Sequence, residues 1–170
     1  MMAPEVVLIG PPGSGKTTVG AALAEALGTM CHDTDAAVEQ AQGRTIADIF
    51  IEDGEPAFRA LERAEVARAL REETGVVALG GGAPMDPETQ VALAGHTVIF
   101  LDVGISDASK RIGFDQSRPL LSVNPRASWT RLMNERRPTY TRLATHVVDT
   151  ATRTPEDIAA EIVALLGGAR

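Results

Sequence analysis

Apolar residues in this chain fall into short unbroken runs, separated by longer stretches in which they return every third or fourth position. The run Val6-Val7-Leu8-Ile9 has no polar residue on either face, and comparable runs cover 30–32, 76–79, 98–101 and 146–148. A strand that is apolar on both faces belongs in a parallel sheet covered on both sides. Helical spacing follows at once: Val19, Ala22, Leu23, Ala26 and Leu27 form an i, i+3, i+4 stripe that can pack on such a sheet. Further helices are predicted near 16–27, 36–42, 46–51, 55–73, 88–94, 105–111, 126–143 and 156–166. Thr45 ahead of Ile46-Ala47-Asp48 and Thr154 ahead of Pro155-Glu156 are suited to cap two of them. Strands alternating with helices predict an α/β fold, with any ligand at the carboxyl edge of the sheet.

The turn between the first strand and the first helix reads Gly10-Pro11-Pro12-Gly13-Ser14-Gly15-Lys16-Thr17, which fits G-x-x-x-x-G-K-[ST]. Successive N–H groups of such a loop can point at phosphate oxygens, and the helix N-terminus adds a positive dipole end. Here Lys16 is expected to reach the β- and γ-phosphates, and the Thr17 hydroxyl to bind Mg²⁺.

Composition removes several function classes. With 170 residues and no linker, repeat or low-complexity tract, a single domain over 1–170 is expected. A net charge of −7 argues against a nucleic-acid or membrane-surface binder, which would need a basic face. The one cysteine, Cys31, has no internal partner and suits a reducing compartment; its place in a predicted strand makes it core rather than chemistry. The first residues lack a basic region, and the run at 6–9 is too short for an export signal, so a cytoplasmic location is expected.

More residues with chemistry lie beside the strand ends. Asp33-Thr34-Asp35 follows the second strand. If the chain stays extended there, both carboxylates point the same way, one toward a metal shell and one toward a substrate hydroxyl; equally, Asp35 before Ala36-Ala37-Val38 can be a helix N-cap. Gly80-Gly81-Gly82 follows the third strand, and is either a close-approach surface for a ligand or a flexible turn. Arg59, Arg111, Arg118 and Arg136 could each fork a carboxylate or phosphate, or simply sit on a solvated face. Arg118 stands in a stretch with Gly113, Pro119, Asn124 and Pro125, read as a lid over about 112–125. Trp129, just after that stretch, is expected to pack the following helix.

Taken in order, the loop, Asp33-x-Asp35, Phe58-Arg59, the glycine triplet, Arg118-Pro119-Leu120 and Arg136-x-Pro138-x-Tyr140 resemble the shikimate kinases, and Thr45-Ile46-Ala47-Asp48-Ile49-Phe50 resembles the actinobacterial type. The resemblance implies phosphoryl transfer from ATP to the 3-hydroxyl of shikimate, in aromatic amino-acid biosynthesis. It implies a nucleoside-monophosphate-kinase-like fold with a five-stranded parallel sheet ordered 2-3-1-4-5. It also implies that Asp35 holds the shikimate hydroxyls and is the candidate base. Arg59 and Arg136 would then fork the carboxylate, helped by Gly80, Gly81 and Gly82, within a shikimate-binding helical region of about 34–61. The nucleotide would be held by Gly13, Ser14, Gly15, Lys16, Thr17 and Thr18, with Arg111 and Arg153 at the adenine and Arg118 closing on the phosphates. Mg²⁺ would sit with Thr17 and Asp33, and the enzyme would work as a monomer. Thr17 stands where serine is commoner in that family, and Ala78-Leu79 where Ala-Thr is frequent, so no hydroxyl is available at 79.

Two other readings make distinct expectations. A gluconate or nucleoside-monophosphate kinase would share the loop but not the Asp-x-Asp and glycine triplet. A nucleotide-dependent switch reading guanine would need Asn-Lys-x-Asp, which is absent, and a non-catalytic module should have lost acceptor residues that are present here.

Overall fold

A computed structural model describes residues 3–112 and 124–168. The apolar run at the start, β1 (Val6–Ile9), lies at the centre of the sheet between β3 (Val76–Ala78) and β4 (Val98–Asp102). β2 (Cys31–Asp33) and β5 (His146–Asp149) take the edges, giving the order β2-β3-β1-β4-β5 with every pairing parallel. All four residues of β1 are 0% exposed, as strands covered on both faces must be.

Eight helices join and cover these strands among the described residues: α1 (Lys16–Leu27), α2 (Thr34–Gln42), α3 (Ile46–Asp53), α4 (Glu55–Glu72), α5 (Pro87–Leu93), α6 (Ile105–Ile112), α7 (Pro125–Leu143) and α8 (Pro155–Gly168). Alternate residues of β1 feed two cores. Val7 and Ile9 pack with residues of α4 and α7, including Val66, Trp129 and Tyr140. Val6 and Leu8 pack with Val19 and Leu23 of α1 and Ile158 and Ile162 of α8. A separate small cluster of Val38, Ile49 and Phe58, flanked by Ile46 and Phe50, ties α2 and α3 to the start of α4.

The expected elements are all present, with edges that move by one or two residues; two of these shifts have a clear cause. Met30 was expected in the second strand because it is apolar, yet it is 81% exposed and precedes the strand. Register decides this: β2 pairs from Cys31 opposite Val76 to Asp33 opposite Ala78. The helix expected at 36 begins at Thr34 because Asp33 caps it. Thr45 and Thr154 do cap, accepting from the N–H groups of Asp48 and Asp157 at 3.1 Å each. One short turn at Ala83–Met85 has no periodicity to betray it and was not expected. Among the described residues no helix is long and apolar enough to cross a membrane.

Candidate active site

The carboxyl ends of β1, β2 and β3 open onto one cavity of about 710 Å³. Gly13, Gly15, Lys16, Thr17 and Thr18 line one side of it. Asp33, Asp35, Arg59, Arg136 and the glycine triplet line the rest, and Arg111 stands at its margin. Residues 20 to 120 positions apart in sequence therefore meet because three parallel strands end together.

The loop before α1 is held in a conformation that side chains with a Cβ disfavour. Gly13 and Gly15 have φ of +83° and +92°, in the left-handed region where glycine is at no steric disadvantage. Lys16 Nζ donates to the carbonyls of Gly10 at 2.7 Å and Pro11 at 3.0 Å, bridging the loop's mouth. Ser14 is fully buried beneath the loop. Thr17 Oγ1 donates to Asp33 Oδ2 at 3.1 Å, while Asp33 Oδ1 accepts from the Ala36 N–H at 3.1 Å. Asp33 thus both caps α2 and stands by the Thr17 hydroxyl. The extended arrangement of Asp33 and Asp35 is corrected: α2 starts between them, and Asp35 lies in its first turn, with Asp33 rather than Asp35 as the cap.

The glycine triplet is a fixed surface. Its three carbonyls accept from the Ala83 N–H at 3.1 Å, the Tyr140 hydroxyl at 2.6 Å and the Met85 N–H at 3.0 Å. Each residue then meets a different charged group. A Cβ on Gly80 would come within 2.8 Å of Asp35 Oδ2, one on Gly81 within 3.4 Å of Arg136 Nη1, and one on Gly82 within 2.5 Å of Arg59 Nη1. The missing Cβ atoms let a carboxylate and two guanidinium groups lie directly on the backbone. Tyr140, 0% exposed, supports this surface from α7, and burial pushes its phenol pKa up.

Glu62 is the residue that sequence reasoning missed. It is 3% exposed on α4, and Arg59 Nη1 donates to its Oε1 at 2.8 Å. Burial raises the Glu62 carboxyl above its ordinary range, and the attraction of Arg59 and then Arg136 only partly opposes this. At Arg59 burial works against the charge, but Glu62 and Glu55 outweigh it and hold the guanidinium above its ordinary value. The signal in the sequence was the spacing: Arg59 and Glu62 are one turn apart, and Phe58 and Glu62 share the buried face of α4.

Two predicted residues sit apart from the cavity's centre. Arg111 Nη1 donates to the carbonyls of Gly13 and Ser14 and to Thr150 Oγ1, each at 3.1 Å, and its Nη2 to the Thr150 carbonyl at 2.7 Å. Arg153 is outside the lining; it pairs with Glu161 at 3.0 Å and donates to the Asp149 carbonyl at 2.9 Å. Arg118 and most of the expected lid over 112–125 lie outside the described residues. Cys31 packs its sulfur against Gly20 of α1, and burial, then the Asp33 charge, push its thiol up to about 11. A thiol so rarely ionised is no nucleophile, as its place in a strand suggested.

Comparison with known proteins adds three findings. The family model described as shikimate kinase matches residues 12–167. Over 165 residues the chain is 56% identical to a shikimate kinase of Salinispora arenicola, covering 97% of this chain and 99% of that protein. It is 57% identical over 161 residues to a shikimate kinase of Thermobifida fusca, covering 95% and 93% of the two chains. Its fold matches a shikimate kinase from Acinetobacter baumannii in complex with shikimate with a TM-score of 0.95 at 32% identity, over 100% of this chain and 96% of that one.

Proposed function

We propose, since this chain belongs to the shikimate kinase family, that it transfers the γ-phosphoryl group of ATP to the 3-hydroxyl of shikimate on the way to the aromatic amino acids. The observation that carries the reading is the single cavity in which the P-loop faces Asp35, Arg59 and Arg136 laid over Gly80, Gly81 and Gly82. Phosphoryl transfer asks little covalent work of a protein; it needs alignment and neutralisation of spread negative charge. In this reading the P-loop amides and Lys16 take the phosphates, with Lys16 leaving the Gly10 and Pro11 carbonyls for phosphate oxygens. Asp35 orients the acceptor hydroxyl and accepts its proton. Arg59 and Arg136 fork the substrate carboxylate and keep it away from the γ-phosphate that it would repel.

Mg²⁺ would be held by Thr17 and Asp33. The fit is sound: a hydroxyl and a carboxylate oxygen 3.1 Å apart at the cavity's edge are hard donors, and Mg²⁺ is commonly held by one or two such groups together with phosphates. Bound there, the ion would neutralise charge on the β- and γ-phosphates. Gly13, Ser14, Gly15 and Thr18 complete the nucleotide site, with Arg111 and Arg153 toward the adenine and Arg118 reaching the phosphates from a lid over about 112–125. Support for a shikimate-binding region over about 34–61 comes from the separate apolar cluster of Val38, Ile49 and Phe58. The working unit is one kinase domain, monomeric and cytoplasmic, acting on a small molecule rather than on nucleic acid or membrane.

The test is ADP release from ATP and Mg²⁺ in the presence of shikimate, gluconate or AMP. Turnover of about 1–100 s⁻¹ with shikimate alone is expected. Turnover only with another acceptor would keep the kinase and overturn the acceptor site, and no acceptor-dependent turnover would favour a binding module.

A further inference from the structure

All the carbonyls of the P-loop have a donor behind them. Those of Gly10 and Pro11 accept from Lys16 Nζ, and that of Gly15 from the Val19 N–H at 2.8 Å. The three between them are met from outside the loop. The Trp129 indole N–H donates to the Pro12 carbonyl at 2.8 Å, and Arg111 Nη1 donates to those of Gly13 and Ser14 at 3.1 Å. A peptide unit's carbonyl and N–H point in opposite directions, so tying back the Pro12 and Ser14 carbonyls aims the Gly13 and Gly15 N–H groups the other way; the Gly10 and Pro11 units precede prolines and carry no N–H, and the Ser14 N–H donates to the Pro11 carbonyl at 3.2 Å.

From this we infer that Trp129 and Arg111 are positioning residues of the phosphate cradle, an inference that rests on the nucleotide-site reading above. Trp129 is 3% exposed on α7 and belongs to the larger core, so packing alone would explain its bulk but not the aim of its N–H at a loop carbonyl. The observed bonds use the edge of the Arg111 guanidinium and join α6 to the loop and to Thr150; an adenine contact would use its face, so the two roles are compatible and need an experiment that removes the base. The two residues come from different helices, α6 and α7, so the loop is tied to both.

Inorganic tripolyphosphate with Mg²⁺ separates this role from both simpler ones, because it engages the cradle and lacks the base. Trp129→Phe keeps an aromatic ring and removes the N–H, leaving the Pro12 carbonyl without its donor. Arg111→Lys keeps the charge and removes the two-pronged hold. Calorimetric affinity for tripolyphosphate is expected to fall about fivefold or more in each variant, consistent with the loss of one hydrogen-bond donor to a loop carbonyl. Shikimate affinity should stay within about twofold of wild type. The inference is overturned if Trp129→Phe lowers only the unfolding temperature, or if Arg111→Lys weakens ATP but not tripolyphosphate. Arg111 is on the surface, so Arg111→Lys decides the matter should Trp129→Phe fail to fold. Wild-type protein that binds neither tripolyphosphate nor ATP would overturn the phosphate-site reading itself, a result distinct from normal wild-type binding with unaltered variants.

Discussion

On the P-loop side of the cavity six consecutive carbonyls are tied back by side-chain or backbone donors, which aims the Gly13 and Gly15 N–H groups away from Trp129 and Arg111. On the acceptor side the backbone is equally well fixed, but it serves as a floor: three glycines whose carbonyls are occupied, with Asp35, Arg136 and Arg59 lying on them. In the proposed complex one wall meets the phosphates with backbone N–H groups and the single charge of Lys16. The other meets the carboxylate with full charges, and Glu62 is buried beside Arg59 as its partner. The two walls should therefore fail differently: the first through lost alignment at the phosphates, the second through uncompensated charge at the carboxylate.

The largest effect is expected from Lys16→Met, which takes the only formal charge from the loop. Loss of one preorganised group facing a developing charge costs roughly a hundred- to a thousandfold in kcat, and ADP release should fall by at least that much. Calorimetric affinity for shikimate should remain within a few-fold of wild type, because the acceptor wall is untouched. Substantial turnover would remove Lys16 from its proposed role.

Arg136→Ala breaks the other wall. Arg136 is 8% exposed, and in the proposed complex it pairs with the substrate carboxylate; truncating one member of a buried charge pair costs on the order of 2–5 kcal/mol. kcat/KM for shikimate should fall roughly tenfold to several thousandfold while KM for ATP stays nearly constant. A variant with wild-type kcat/KM would sink the assignment.

Substituting Gly82 with Ala probes the floor rather than the charges. The new Cβ would lie 2.5 Å from Arg59 Nη1, the tip of a flexible side chain, so the guanidinium should shift and the fold should survive. Overpacking of this kind costs typically about 1–3 kcal/mol; with most of it appearing as a misplaced fork, KM for shikimate should rise roughly five- to a hundredfold. An unchanged KM would mean that Arg59 does not need this seat.

The difference between the walls also governs how far each could be read from sequence. The P-loop is contiguous, and its strand and helix carry clear periodicity, so Gly13, Gly15, Lys16 and Thr17 were legible together. The acceptor wall draws on α2, α4, the turn after β3 and α7, and its parts could be grouped only through resemblance to a family. Residue spacing left Asp33 and Asp35 undecided, because whether the chain extends or coils there depends on which carboxylate caps α2. Glu62 was passed over because a glutamate within an 18-residue helix reads as solvated; its one-turn spacing from Arg59 was the only signal, and the packing of α4 shows that it is buried. Nor could spacing place Trp129 Nε1 on Pro12, since that contact spans 117 positions.

The smallest expected effect, Glu62→Gln, tests whether the acceptor wall carries its charge at a cost in stability. Burial is the dominant influence on Glu62 and raises its pKa in the folded protein above the ordinary 4.5. A carboxyl that binds its proton more tightly when folded contributes most stability below the ordinary value. It loses that contribution as pH rises through the raised one. Glutamine cannot ionise, so the unfolding free energy of wild type relative to Glu62→Gln should decline from about pH 4 toward neutrality, read from urea unfolding at several pH values. A rise instead would mean that Arg59 and Arg136 overcome the burial of Glu62. A declining slope is what marks the acceptor wall as one that keeps its buried carboxyl at a cost in stability.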